Sequence, residues 1–336
     1  MKKKFYKNIL KIFVLILIGI FFNFYIDSYG IFKKNLNYQI LEPNKNYLKT
    51  KYIIENINKY DSFIFGSSRV GNIPTEIIKG NKFYNMTFSE GLPQEWLKAL
   101  SIFLNGGSKI NTVILGLDDI SFKAIPESHF LQPMRLPYYK LENKKDLVKN
   151  YILINPLNKY NLITLYQSLK RNWNNYYKEF YTSGRSINTA KDLWIEKNKD
   201  LHRKNKIFLK SDYGNMDFIR VGKTLNEIEQ ISELCYKNDI NLIIIINPLH
   251  KMAYIKNNLK EYQEIKNEIF KIKNCKIYDF SELNEITLDN YYWYETSHFR
   301  PIVGEMMLKK IYQDKIDLDI EVPEYFGRFK NNYELK

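Results

Sequence analysis

Two stretches, Thr112–Leu117 (TVILGL) and Leu242–Asn247 (LIIIIN), are almost continuously apolar and only six residues long. A strand with one wet face alternates apolar and polar residues. An unbroken apolar hexad therefore predicts a strand covered on both faces, as in a parallel sheet between helices. Three further runs have strand character: Ser62–Gly66 (SFIFG), Lys82–Asn85 (KFYN) and Lys276–Phe280 (KIYDF). Between the runs, Gln94–Leu104, Thr224–Lys237, Leu259–Ile272 and Val303–Tyr312 space their apolar residues at the helical period. Alternating strand and helix with right-handed crossovers predicts an α/β fold, a doubly wound parallel five-stranded sheet. With 336 residues, 45% of them apolar, the chain can form one large domain or two small ones.

Two segments fall outside this rhythm. From about 121 to 221 there is no strand signal, and the chain is rich in Tyr, Asn, Lys and Trp. It reads as a largely helical insertion or cap after the third strand, overhanging the strand ends where substrate contacts are made. The amino terminus, MKKKFYKNILKIFVLILIGIFFNFYID, is basic and then apolar, with only Lys11 and Asn23 interrupting Ile9–Ile26. As a helix that run covers roughly 27 Å, close to a bilayer core of about 30 Å. The positive start predicts a cytoplasmic amino terminus, and no small-residue cleavage site follows. Residues 1–30 therefore read as an uncleaved signal anchor, and 31–336 as a domain outside the cytoplasmic membrane.

The net charge of +14 comes from lysines spread along the chain. Without a basic stripe, zinc-finger spacing or aromatic RNA-binding signature, no nucleic-acid partner is expected. His and Cys are too few and too scattered for a metal site, and no phosphate-binding glycine loop is present, so no metal or cofactor is expected. Cys235 and Cys275, the two cysteines, read either as buried thiols or as a bridge.

In a doubly wound sheet, sites form at the carboxyl ends of the strands. Those ends carry Gly66-Ser67-Ser68-Arg69, then Asn85 and Gly91, then Gly116, Asp118 and Asp119, then Asn247 and His250, and lastly YYWYETSHFRPIVGE with Glu295 and His298. A serine hydroxyl needs a base to become a nucleophile, and imidazole titrates near neutrality. A carboxylate on the far ring nitrogen fixes the tautomer. Ser68 and His298 are the natural pair, with Glu295 three residues before the histidine. The competing structural readings are an ordinary turn at Ser68 and a helix cap at Glu295–Ser297 ahead of Pro301. His250 is a candidate substrate contact or a packing residue. Tyr291–Tyr294, with Trp173, Tyr176 and Tyr177, either stack on sugar rings or pack the insertion.

These blocks, in this order, resemble the SGNH or GDSL-type hydrolases. The resemblance implies a flavodoxin-like sheet with Ser68 as nucleophile, Gly91 as an oxyanion N–H donor, and Glu295-x-x-His298 as the acid–base block. Two positions depart from the family pattern: Asp118 stands where an oxyanion asparagine is expected, and Glu295 stands for Asp. A carboxylate repels an oxyanion, so Asp118 either marks a retired site or holds Arg69, which would order the turn or bind an anionic substrate. GSSR, SHFRPIVGE and the anchor ending FNFYIDSYGIF are similar to membrane-anchored SGNH-like proteins of envelope glycan pathways, a group that includes the D-alanyl-lipoteichoic acid transfer protein and the alginate O-acetyltransferases. That resemblance implies an extracytoplasmic serine esterase or O-acyltransferase on acyl esters of a cell-envelope polysaccharide, with a membrane-bound acyl donor protein as a possible partner. The alternative is a catalytically inactive glycan-binding or scaffold subunit of the same fold.

Overall fold

The computed structural model describes residues 2–32, 41–170, 182–209, 217–256 and 259–333. It divides into two compact units, residues 1–51 with 127–178, and residues 52–126 with 179–336. The 121–221 stretch is thus shared: 127–178 belongs with the amino-terminal helix, and the remainder with the sheet. The helices used below are α1 (Lys2–Ile26), α2 (Pro93–Asn105), α3 (Lys159–Leu169), α4 (Thr189–Lys197), α5 (Val221–Lys237), α6 (Leu259–Ile269) and α7 (Pro301–Tyr312).

In the first unit, α1 is long and apolar enough to cross a membrane, and its side chains are exposed along most of its length. It stops at Asp27, which takes a left-handed φ of 43°. The Asp27 carboxylate then accepts from the N–H groups of Ile31 and Phe32 at 2.8 and 3.0 Å, satisfying the turn that follows. The Asn44 amide ties the rest of the unit together by donating to the carbonyls of Pro133 and Leu136 and to the Tyr151 hydroxyl.

The second unit holds a sheet of six strands in the order β2-β1-β3-β4-β5-β6. They are β1 (Ser62–Gly66), β2 (Phe83–Asn85), β3 (Thr112–Leu117), β4 (Asn241–Ile246), β5 (Lys276–Asp279) and β6 (Arg328–Asn331). The first five are parallel. The sixth runs antiparallel to β5, so the sheet is mixed and six-stranded rather than all-parallel and five-stranded. Every β6 residue is exposed, which removes the apolar signal by which the other strands are read. Its Arg328 and Lys330 suit an edge that must not pair with another chain.

The continuous apolar strands do face two cores. Phe63, Phe65, Val113, Leu115, Leu242 and Ile244 pack with Trp96, Leu100 and Phe103 of α2 and with Ile228 and Ile231 of α5. The alternate residues Ile64, Ile114, Ile243 and Ile245 pack with Val303, Met306 and Met307 of α7. Each such fully buried large side chain contributes about 1.5–3 kcal/mol. The chain reverses its direction of winding between β1 and β3, and crevices for ligands open at the carboxyl ends of strands beside such a point.

Candidate active site

The turn after β1 is built on three close glycine approaches. Gly66 lies beside Gly116 in the β1–β3 register. A Cβ on either would overlap the Val70 side chain, and a Cβ on Gly91 would sit 2.5 Å from the Gly66 carbonyl oxygen. Bare glycines therefore let the 3-10 turn Ser68–Asn72 fold back over the strand ends. Ser67 caps that turn, accepting from the Arg69 N–H at 3.3 Å, and its hydroxyl donates to Asp118 Oδ2 at 2.6 Å. Ser67 is fully buried, whereas Ser68 is partly exposed. The two adjacent serines face different surroundings.

Ser68 Oγ lies 2.8 Å from His298 Nε2. His298 Nδ1 lies 2.5 Å from Glu295 Oε1. The Glu295 carboxylate also accepts from the N–H groups of Ser297 and His298, at 2.7 and 2.9 Å. Burial pushes the Glu295 carboxyl upward. The hydrogen bonds and charge of His298 and the two N–H bonds outweigh it and hold the group below its ordinary value. Acid and base sit on one tight loop before α7, closed by an antiparallel bridge between Trp293 and Phe299 and by the Tyr294 N–H donating to the His298 carbonyl at 2.8 Å. Asn72 donates to the Phe299 carbonyl at 2.9 Å, joining the Ser68 turn to this loop.

Arg69 is wholly buried. Its Nη1 donates to Asp119 Oδ1 at 2.5 Å and lies 3.4 Å from Asp118 Oδ2. Asp119 is further paired with buried Lys123 at 3.4 Å. Burial pushes the Asp119 carboxyl up, but the charges and hydrogen bonds of Arg69 and Lys123 prevail and hold it below the usual carboxylate range. The expected Asp118–Arg69 pair is thus chiefly an Asp119–Arg69 pair, and Asp118 serves Ser67. Arg69 is committed inside the protein rather than presented to a ligand.

Gly91 lies against the end of β1, but its N–H donates to the Phe88 carbonyl at 3.2 Å within its own turn. His250 is fully buried, with Nε2 on Asn290 Oδ1 at 2.9 Å and Nδ1 accepting from the Met252 N–H at 3.2 Å. Its ring stacks on Phe208 and meets the Trp293 edge, so it packs the fold. Trp293 and Tyr294 are buried, and Tyr291 lies under the Arg300 and Arg203 guanidinium groups. Trp173, Tyr176 and Tyr177 lie outside the described residues. Cys235 and Cys275 are free, buried thiols, each pushed up to about 12 by desolvation.

Sequence reasoning missed the brace under the Glu295–His298 loop. Arg300 donates to Asp192 at 2.9 Å, to Glu196 at 2.7 Å and to the Tyr291 carbonyl at 3.0 Å, and the Tyr294 hydroxyl donates to the same Asp192. The available signal was weak: two acids four residues apart on α4, a hundred residues from the loop they hold.

No family model matches the chain, and no curated protein matches it. A solved structure provisionally assigned as a platelet activating factor from Streptococcus pneumonia is similar at 11% identity with a TM-score of 0.44, covering 81% of this chain and 92% of that one. Likeness at that level bears on neither mechanism nor substrate.

Proposed function

We propose that this protein is a membrane-anchored serine esterase or O-acyltransferase with a Ser68–His298–Glu295 triad. The single observation behind the reading is the continuous chain from Ser68 Oγ through His298 to Glu295, at 2.8 and 2.5 Å. In this reading the fold is flavodoxin-like and of the SGNH type. The 2-1-3-4-5 order of the parallel strands supports it, as does the position of Ser68 at the β1/β3 switch point.

Ser68 Oγ attacks the carbonyl carbon of an acyl ester as His298 Nε2 takes its proton. Glu295 holds the Nδ1–H tautomer and stabilises the imidazolium. The developing oxyanion faces the Ser68 N–H at the start of the turn, where that group has no hydrogen bond to another described residue. His298 returns its proton to the leaving alcohol, and an acyl-Ser68 intermediate remains. Water then resolves it in an esterase, or a sugar hydroxyl in a transferase, and Ser68 is regenerated. Asp118 does not oppose this chemistry, because its carboxylate is turned onto Ser67. In this reading an esterase takes an acyl ester of a cell-envelope polysaccharide as substrate, whereas a transferase takes its acyl group from a membrane-bound donor protein and passes it to a polysaccharide hydroxyl; α1 is the anchor and the domain lies outside the membrane.

One observation favours the inactive glycan-binding alternative: the Gly91 N–H is already used in its own turn and so is not free for the oxyanion. Fluorophosphonate labelling of the full chain in detergent separates the two. The enzyme reading expects labelling that is lost in Ser68→Ala and strongly reduced in His298→Ala. A folded wild type that does not label overturns it.

A further inference from the structure

The outer end of α1 does not stand alone. Asn23, buried on α1, donates to the carbonyls of Ile152 and Ile154 at 2.7 and 2.8 Å, and Asn161 of α3 donates back to Asn23 at 2.7 Å. Further inward along α1, a Cβ on Gly19 would come within 3.2 Å of Pro156. Gly19 is seven residues before Ile26, or about 10 Å along the helix. The loop 152–158 therefore lies alongside the carboxyl-terminal part of the apolar run, from Gly19 onward.

That loop and α3 expose apolar side chains. Leu153 and Leu157 are 60% and 67% exposed, and on α3 Leu162, Tyr166 and Leu169 are 45%, 54% and 76% exposed. The last three fall at i, i+4 and i+7, a single stripe on the helix, while Asn161 and Thr164 make its buried face. Phe21, Phe24 and Tyr25 at the end of α1 are exposed as well. Residues 147–170 hold three lysines and no acid. Lys170 Nζ lies 4.4 Å above the Tyr166 ring, a cation and an aromatic presented together.

We propose that residues 152–169 make a second, interfacial contact with the bilayer. Leu153 and Leu157 insert among acyl chains beside α1, the α3 stripe lies along the headgroup boundary, and Lys159 and Lys170 face anionic phospholipid. The proposal rests on α1 crossing the membrane. If it does, whatever borders Gly19 and Asn23 is at the depth of lipid, and a surface there that is apolar with basic edges fits an anionic bilayer face. The contact would make the unit a two-point mount, unable to swing freely on a single helix.

The test uses the full chain in vesicles of phosphatidylcholine and phosphatidylglycerol, with a nitroxide on one introduced cysteine at a time. Leu15→Cys reports α1, and Leu157→Cys and Leu169→Cys report the proposed contact. Cys235 and Cys275 are buried, so the unmodified chain serves as the unlabelled reference. The expected result is collision with oxygen several-fold above collision with a water-soluble nickel chelate at Leu15 and Leu157. Leu169 should fall between those sites and water, and should shift toward the chelate when phosphatidylglycerol is left out. Chelate-dominated collisions at Leu157 and Leu169 with lipid-like behaviour at Leu15 overturn the contact while leaving the anchor. Low collision with both probes at Leu157 and Leu169 overturns it in favour of a protein cover. Chelate-dominated collisions at Leu15 overturn the anchor and the contact together.

Discussion

The Ser67 hydroxyl donates to the Asp118 carboxylate across 2.6 Å, with both side chains fully buried. This bond splits the roles of two adjacent serines. One spends its hydroxyl on holding the end of β3 to the end of β1; the next keeps its hydroxyl for His298.

The two alanine variants should therefore behave differently. Ser68→Ala removes a partly exposed hydroxyl, so it should abolish fluorophosphonate labelling and leave the melting temperature almost unchanged. Ser67→Ala leaves a buried carboxylate short of a donor, which costs about 1–3 kcal/mol. It should lower the melting temperature by several degrees yet retain labelling. Labelling that survives in Ser68→Ala would assign the nucleophile elsewhere.

Arg69 is predicted to matter for stability before substrate. Its guanidinium is the main counter-charge to Asp119, with Lys123 behind it. Breaking a buried pair by removing one partner costs about 3–5 kcal/mol. Arg69→Leu should unfold at markedly lower denaturant, and the double change Arg69→Leu with Asp119→Leu should recover much of the loss. A stable Arg69→Leu protein with a raised KM would instead place the arginine against ligand.

The Glu295 carboxyl is held below its ordinary value of 4.5 in the folded chain. A depressed carboxylate contributes stability that is fully present above the unfolded value and is lost as pH falls through the folded one. The melting temperatures of wild type and Glu295→Gln should thus differ by a constant amount at neutral pH and converge below about pH 4.5. At neutral pH the same variant should label about 10²- to 10⁴-fold more slowly, since the imidazole loses its orienting anion. Equal labelling rates would sink the triad.

His250 is predicted to hold structure rather than ligand. Both ring nitrogens are engaged and the ring is stacked. Burial, partly offset by the bond to Asn290, keeps its pKa below the ordinary value and so favours the neutral ring. His250→Ala should cost about 2–4 kcal/mol in chemical denaturation, by loss of packing and of two hydrogen bonds. Under conditions where the variant is folded, KM should move by less than about threefold, a shift worth well under 1 kcal/mol.

The parts of the molecule that were legible in the sequence are those with a local signal. TVILGL and LIIIIN reveal strands because burial on both faces leaves no polar alternation. Glu295 and His298 are visible because a three-residue spacing puts acid and base on one loop, and their meeting with Ser68 follows once both ends are placed at strand ends. β6 was hidden because an exposed edge strand carries no apolar pattern. The exchange of partners among Ser67, Arg69, Asp118 and Asp119 was hidden because two adjacent carboxylates look alike until the backbone aims them. The Arg300 brace was hidden because its acids come from α4, and the use of the Gly91 N–H because turn geometry decides it.

Ser68 and His298 are 230 residues apart in the chain. At a synthesis rate of roughly 5–20 residues per second, Ser68 emerges on the order of 10 to 50 s before His298. Throughout that interval Ser68 is an ordinary alcohol. In the proposed reading, reactivity switches on only when the loop before α7 has been made and has closed on the first strand. On that reading, a truncated product that stops short of that loop carries the serine but no hydrolytic activity.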